Sequence, residues 1–101
     1  MPSGKRMLER DLEAKLRKYA VGKGCRWVKF TSPANPSVPD RILMGPVGGK
    51  GKLIFIELKR PGGVPTDAQA DTILDYCDRG LDARWTDNLE QGKAWIDEVC
   101  S

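Results

Sequence analysis

None of the 101 residues is a histidine. That absence removes Ser-His-Asp and Cys-His triads, histidine general acids and histidine-ligated metals together. Any catalysis must run on carboxylates, lysine and a hard cation. Cysteine is scarce too: Cys25, Cys77 and Cys100 are far apart, odd in number and form no CxxC pair. With at most three soft ligands a structural zinc site is excluded, and small buried or half-buried thiols in a reducing compartment are expected. No apolar run approaches the roughly 20 residues that cross a bilayer. The opening stretch from Met1 to Arg6 leads into charge and not into an apolar signal-peptide core, so a cytoplasmic location is expected. Repeats, low-complexity tracts and internal linkers are also missing. Residues 1–101 are therefore expected to form one domain, with residues 1–6 flexible.

What is present is ordinary for a globular protein: 40% hydrophobic and 31% charged, with a net charge of +3. That surplus is too small to argue for nucleic acid by itself. Leu8, Leu12 and Leu16, extended by Tyr19, form the stripe of an amphipathic helix over residues 7–20, closed by Gly22 and Gly24. Residues 26–30 alternate as a strand, and residues 31–39, with three prolines, are a loop. A second strand spans 41–44, and a glycine-rich connection over 45–51 leads to the most apolar segment, 52–59. Leu53 and Phe55 face one way there, and Ile54, Ile56 and Leu58 the other, so both faces are covered and the strand is central. A helix follows from Thr66, paired with Gln69 in a capping-box pattern, to Gly80. A short strand over 81–86 and a last helix from residue 87 complete the order α-β-β-β-α-β-α. The fold class is α/β, a small central mixed sheet flanked by helices.

Glu57 and Lys59 leave the same face at the carboxyl end of that central strand, where open α/β sheets place their ligand crevices. Asp40 opens the preceding strand, and a hairpin through the 45–51 turn brings Asp40 beside Glu57. Two carboxylates held together repel unless a cation sits between them. Oxygen donors of this kind suit Mg²⁺ or Mn²⁺, which polarises a phosphodiester and lowers the pKa of a bound water. Lys59 would lie beside that water. Lys29, Arg41 and Arg60 flank this region as candidate phosphate contacts, while Arg6, Arg10, Lys15, Arg17 and Lys18 crowd the first helix. Trp27, Trp85 and Trp95 are expected in the core or at a dimer interface rather than as base-stacking platforms.

Pro39-Asp40, sixteen residues, then Glu57-Leu58-Lys59 resembles the PD-(D/E)XK nuclease signature. The wider text, residues 38–42, then 55–63, then Thr66 and Gln69, resembles its VRR-NUC branch, in particular the stand-alone phage and bacterial members. The resemblance covers about residues 8–99 and implies a restriction-endonuclease-like fold in a bacterial or phage-infected host cell. It further implies a divalent-metal-dependent endonuclease acting on DNA, with branched structures as substrates and Holliday-junction resolution by a homodimer as the sharpest form. A flap or single-strand nuclease and a non-catalytic DNA-binding module on the same fold are the alternatives. Carried onto this sequence, Asp40 and Glu57 would ligate the metal, Leu58 would give its backbone carbonyl, and Lys59 would serve the attacking water. Gln69 would lie near that lysine, in competition with its capping role. A helix glutamate near the metal is also implied, and spacing favours Glu13 over Glu9.

Overall fold

The structure is a computed structural model and describes residues 7–100. The expected flexibility of residues 1–6, and Arg6 with it, lies outside the described residues. The elements run α1 (Glu9–Gly22), β1 (Arg26–Lys29), β2 (Arg41–Met44), β3 (Leu53–Leu58), α2 (Asp67–Asp78), β4 (Ala83–Thr86) and α3 (Leu89–Cys100). The predicted order is reproduced.

Leu12, Leu16 and Ala20 are the buried stripe of α1. Leu8, expected to start that stripe, is instead 42% exposed ahead of the helix. Its backbone N–H donates to the Asp11 carboxylate at 3.0 Å, which satisfies one of the open donors of the first turn. Both α1 and α2 end in the same device. The N–H of Cys25 donates to Ala20 O at 2.9 Å, that of Leu81 to Tyr76 O at 3.0 Å, and the intervening Gly24 and Gly80 adopt φ of +83° and +85°. Leu81 is thus spent on closing α2, and β4 starts two residues later than the sequence pattern suggests. Asn88 likewise caps α3, its side-chain oxygen accepting from Gln91 N at 2.8 Å, so that helix begins at Leu89 and not at residue 87.

The sheet order is β1-β2-β3-β4, with β1, β2 and β3 antiparallel and β4 parallel to β3 through the α2 crossover. Leu43, Ile54, Ile56 and Leu58 meet Leu12, Leu16, Ala20, Ile96 and Val99 in one core beneath α1 and α3. The opposite face is covered by α2 alone, where Tyr76 meets Phe55 edge-on at 5.5 Å. Helices α1 and α3 approach closely because α3 carries Gly92: a Cβ there would stand 2.7 Å from both methyls of buried Leu16.

The cysteines correct the reading of separate thiols. Cys25 and Cys100 are joined in a disulfide, their Cα atoms 6.3 Å apart, and Cys77 is the free, exposed one. A separation of 75 residues hides this pairing in the sequence; it exists because the last turn of α3 returns to the cap of α1. No helix among the described residues is long and apolar enough to cross a membrane.

Two outcomes follow for stability. Gly92→Ala is expected to destabilise the fold by on the order of 1 kcal/mol in chemical denaturation, overpacking against Leu16 outweighing the better helix propensity of alanine. Reduction with dithiothreitol is expected to lower the unfolding free energy by up to about 4 kcal/mol, the chain-entropy value for so long a loop; a melting curve unchanged by reductant would show that the bond contributes nothing.

Candidate active site

The site is assembled where β2 begins and β3 ends. Arg41 pairs with Ile56, so one further step of the same register sets Asp40 opposite Glu57. Buried Pro39 leads into Asp40, and the Asp40 carbonyl accepts from Phe30 N at 2.8 Å, which fixes the backbone at the strand entrance. On the other side Lys59 N donates to Thr86 O at 2.9 Å, so β4 holds the end of β3 one residue beyond the strand. Leu58 turns its side chain into the core on the opposite face and has only its backbone to offer the site.

Glu57 is 7% exposed. Burial and the neighbouring Asp40 charge push its carboxyl up from 4.5 to about 7; Lys59 and Arg41 oppose this, and Glu9 adds to it. Lys59 Nζ lies 3.8 Å from Glu57 Oε2. Gln69 serves two partners at once, against the expectation of competition. Its Oε1 accepts from Thr66 N at 2.9 Å, and its Nε2 donates to Glu57 Oε2 at 3.5 Å. An amide has separate donor and acceptor ends, so the cap takes one and the carboxylate the other.

The remaining expectations separate. Glu13 is engaged away from the carboxylate pair: its Oε2 accepts from Trp27 Nε1 at 2.9 Å and from Arg41 Nε at 3.3 Å, and Arg17 approaches its Oε1 at 3.6 Å. Although burial raises the Glu13 carboxyl, the Trp27 hydrogen bond and Arg41 bring it below its ordinary value. Glu9, the alternative one turn earlier, is the helix carboxylate whose charge acts on Glu57. Arg41, expected on phosphate, is 6% exposed, and its Nη1 lies 2.8 Å from Asp40 Oδ1. Enclosed in this way, Arg41 is engaged by Asp40 and Glu13. Arg60 and Lys29 are exposed. Arg60 opens a turn pinned by the Gly62 N–H to Asp87 Oδ2 at 2.9 Å, and Lys29 faces the Arg41 side of edge strand β1. Trp27 and Trp95 are half-buried and Trp85 is 36% exposed. Reading the sequence missed Trp27 as a partner of Glu13, because only the packing of α1 against the sheet brings them together.

The donor set fits a hard cation of the Mg²⁺ or Mn²⁺ kind. Asp40 and Glu57 are oxygen donors in mutual repulsion, which is the conflict a divalent ion relieves. Among the described residues no group of three acidic or cysteine side chains forms a complete cage. Mg²⁺ does not require one, since it keeps waters and takes substrate phosphate oxygens beside one or two carboxylates.

No family model matches the chain. Two solved structures superpose on nearly all of it. One, described as "VRR_NUC domain", has a TM-score of 0.75 at 18% identity over 88% of this chain and 94% of that one. The other, "VRR_NUC domain protein", has a TM-score of 0.68 at 18% identity over 94% and 89%. The fold is that of a VRR_NUC domain. A curated protein of Acyrthosiphon pisum secondary endosymbiont phage 1, named "Putative nuclease p44", is 40% identical over 62 residues, 61% of this chain. The chain spans only 59% of that relative's length. Within the VRR_NUC fold, the Asp40–Glu57 pair stands at the carboxyl end of β3.

Burial of Glu57 makes stability depend on pH. Between 4.5 and about 7 the folded protein holds a proton that the unfolded chain has lost, so unfolding free energy falls as pH rises through that window and levels off above it. The full shift corresponds to about 3 kcal/mol, which water reaching the cleft reduces to roughly 1–2 kcal/mol. Denaturation of metal-free protein at pH 4.5 and 7.5 measures this, and Glu57→Gln is expected to flatten the difference.

Proposed function

We propose that the chain is a divalent-metal-dependent DNA endonuclease of the PD-(D/E)XK type, selective for branched DNA and cutting four-way junctions as a homodimer. The observation that carries this reading is the charge conflict between buried Glu57 and half-exposed Asp40, with Lys59 3.8 Å and Gln69 3.5 Å from the same Glu57 oxygen. The phage relative's name supports nuclease chemistry, and the fold supports its placement.

Asp40 and Glu57, with the Leu58 carbonyl, would hold Mg²⁺ or Mn²⁺, and Glu13, engaged by Trp27 and Arg41, would not be a direct ligand. When bound, the ion lowers the pKa of a water and offsets charge on the phosphate. Lys59, flexible and cationic beside Glu57, orients the attacking water and stabilises the charge that grows on the phosphoryl oxygens as the phosphorus–oxygen bond to the leaving sugar breaks. Gln69 fixes the Glu57 carboxylate from the amino end of α2. Glu57 must be ionised to act as a ligand, so activity is expected to rise with pH through about 7. Exposed Arg60 and Lys29 supply phosphate contacts, so binding weakens steeply with salt.

Support for a homodimer comes from the sheet face that α2 leaves uncovered. Val28, Ile42 and Met44 are half-buried there, with Leu53 38% and Phe30 53% exposed. A two-fold partner would cover that apolar surface and bring a second site, which suits a substrate needing two matched cuts.

The test is cleavage of four-way junction, flap, splayed-arm and duplex DNA with Mn²⁺, beside sedimentation of the protein alone. Junction DNA is expected to be cut best, and Lys59→Ala is expected to lose at least about a hundredfold in rate. A Lys59→Ala variant cutting at the wild-type rate would refute the site. Preferred cleavage of flaps by a monomer would replace junction resolution with flap processing.

A further inference from the structure

We infer that Trp27, Glu13 and Arg41 form a brace that positions Asp40, so that Glu13 acts on the site through Arg41 and not as a ligand. The inference rests on the proposed carboxylate site and assigns its neighbours. Arg41 is the most enclosed cation of the site, its side chain 7% exposed. A guanidinium taken so far out of water persists only where its fork is matched by anions. Here Nε meets Glu13 Oε2 at 3.3 Å, and Nη1 meets Asp40 Oδ1 at 2.8 Å and the Asp40 carbonyl at 3.4 Å. The fork is planar and rigid, so fixing its Nε side fixes the direction of Nη1; a lysine could not transmit that orientation.

Glu13 is itself fixed. Trp27 Nε1 donates to the same Oε2 at 2.9 Å from an edge strand whose register with β2 is set by the sheet. The chain of contacts therefore runs from β1 through α1 to the first residue of β2 and ends on one oxygen of Asp40. The other oxygen, Oδ2, has no hydrogen-bond or ion-pair partner among the described residues, and the Asp40 side chain is 36% exposed. Arg41 holds Oδ1 and leaves Oδ2 available as a ligand atom on the residue that stands opposite Glu57. Groups that orient a ligating carboxylate in this way commonly change metal affinity ten- to a hundredfold when removed. A brace that merely fastened α1 to the sheet would change melting and leave metal affinity alone.

The experiment is calorimetric titration of DNA-free protein with Mn²⁺, for wild type, Glu13→Gln, Trp27→Phe and Arg17→Ala, with melting curves for each. Glu13→Gln keeps the shape of the side chain and removes its charge; Trp27→Phe keeps most of the ring and removes the donor. Both are expected to weaken Mn²⁺ binding about tenfold or more while remaining folded at the titration temperature. Arg17 touches Glu13 only from solvent, 55% exposed, and its removal is expected to leave binding unchanged. Should Glu13→Gln not fold, Trp27→Phe decides. Wild-type affinity in both variants, with lowered melting temperatures, overturns the brace and leaves the carboxylate site standing. A wild-type protein that takes up no Mn²⁺ overturns the site itself and the brace with it.

Discussion

The antiparallel register of β2 and β3 sets Asp40 opposite Glu57, and burial of Glu57 leaves the repulsion between them poorly screened. Burial and the Asp40 charge favour the protonated Glu57 carboxyl, while Lys59 and Arg41 favour its ionised form. The neighbouring polar groups answer this conflict. Lys59 stands on the same pleat, Gln69 turns its amide nitrogen toward the shared oxygen, and Arg41 takes the near side of Asp40. Two carboxylates in this conflict are a donor set that a divalent ion would relieve, which is the basis of the proposed function.

The two faces of the sheet divide the work. Beneath α1 and α3 the packing is tight, with Gly92 against Leu16 and the Cys25–Cys100 bond joining the ends of the layer. That layer fixes β2 and β3 relative to α1, so Trp27 on β1, Glu13 on α1 and Arg41 on β2 meet on one side of the sheet. The α2 face is looser: α2 contributes Gln69 to the site and leaves apolar sheet beyond it. Rigid support lies behind the carboxylates, with open surface beside them.

Several parts of this arrangement were legible without coordinates. Missing histidine restricted the chemistry to carboxylates, lysine and a hard cation. The apolar alternation of residues 53–58 marked the central strand, and the Glu57–Lys59 spacing put both on one face of it. Asp40 could be brought to Glu57 by assuming only a hairpin. Capping logic found Gln69, although not that one amide serves both a cap and a carboxylate. The starts of β4 and α3 were placed two residues early because the chain spends Leu81 and Asn88 on closing and capping helices.

Sequence by itself determined the order of elements and the shared face of Glu57 and Lys59, because periodicity and short spacing act within single strands and helices. Tertiary structure decided the rest. Glu9 and Glu13 lie on similar faces of α1, and only the packing of that helix on the sheet turned Glu13 toward Trp27 and Arg41 while leaving Glu9 to act on Glu57. Arg41 reads as an exposed phosphate contact until burial encloses it between two carboxylates. Cys25 and Cys100 read as separate thiols until α3 closes on α1. Each of these depends on contacts between residues distant along the chain, which local pattern does not encode.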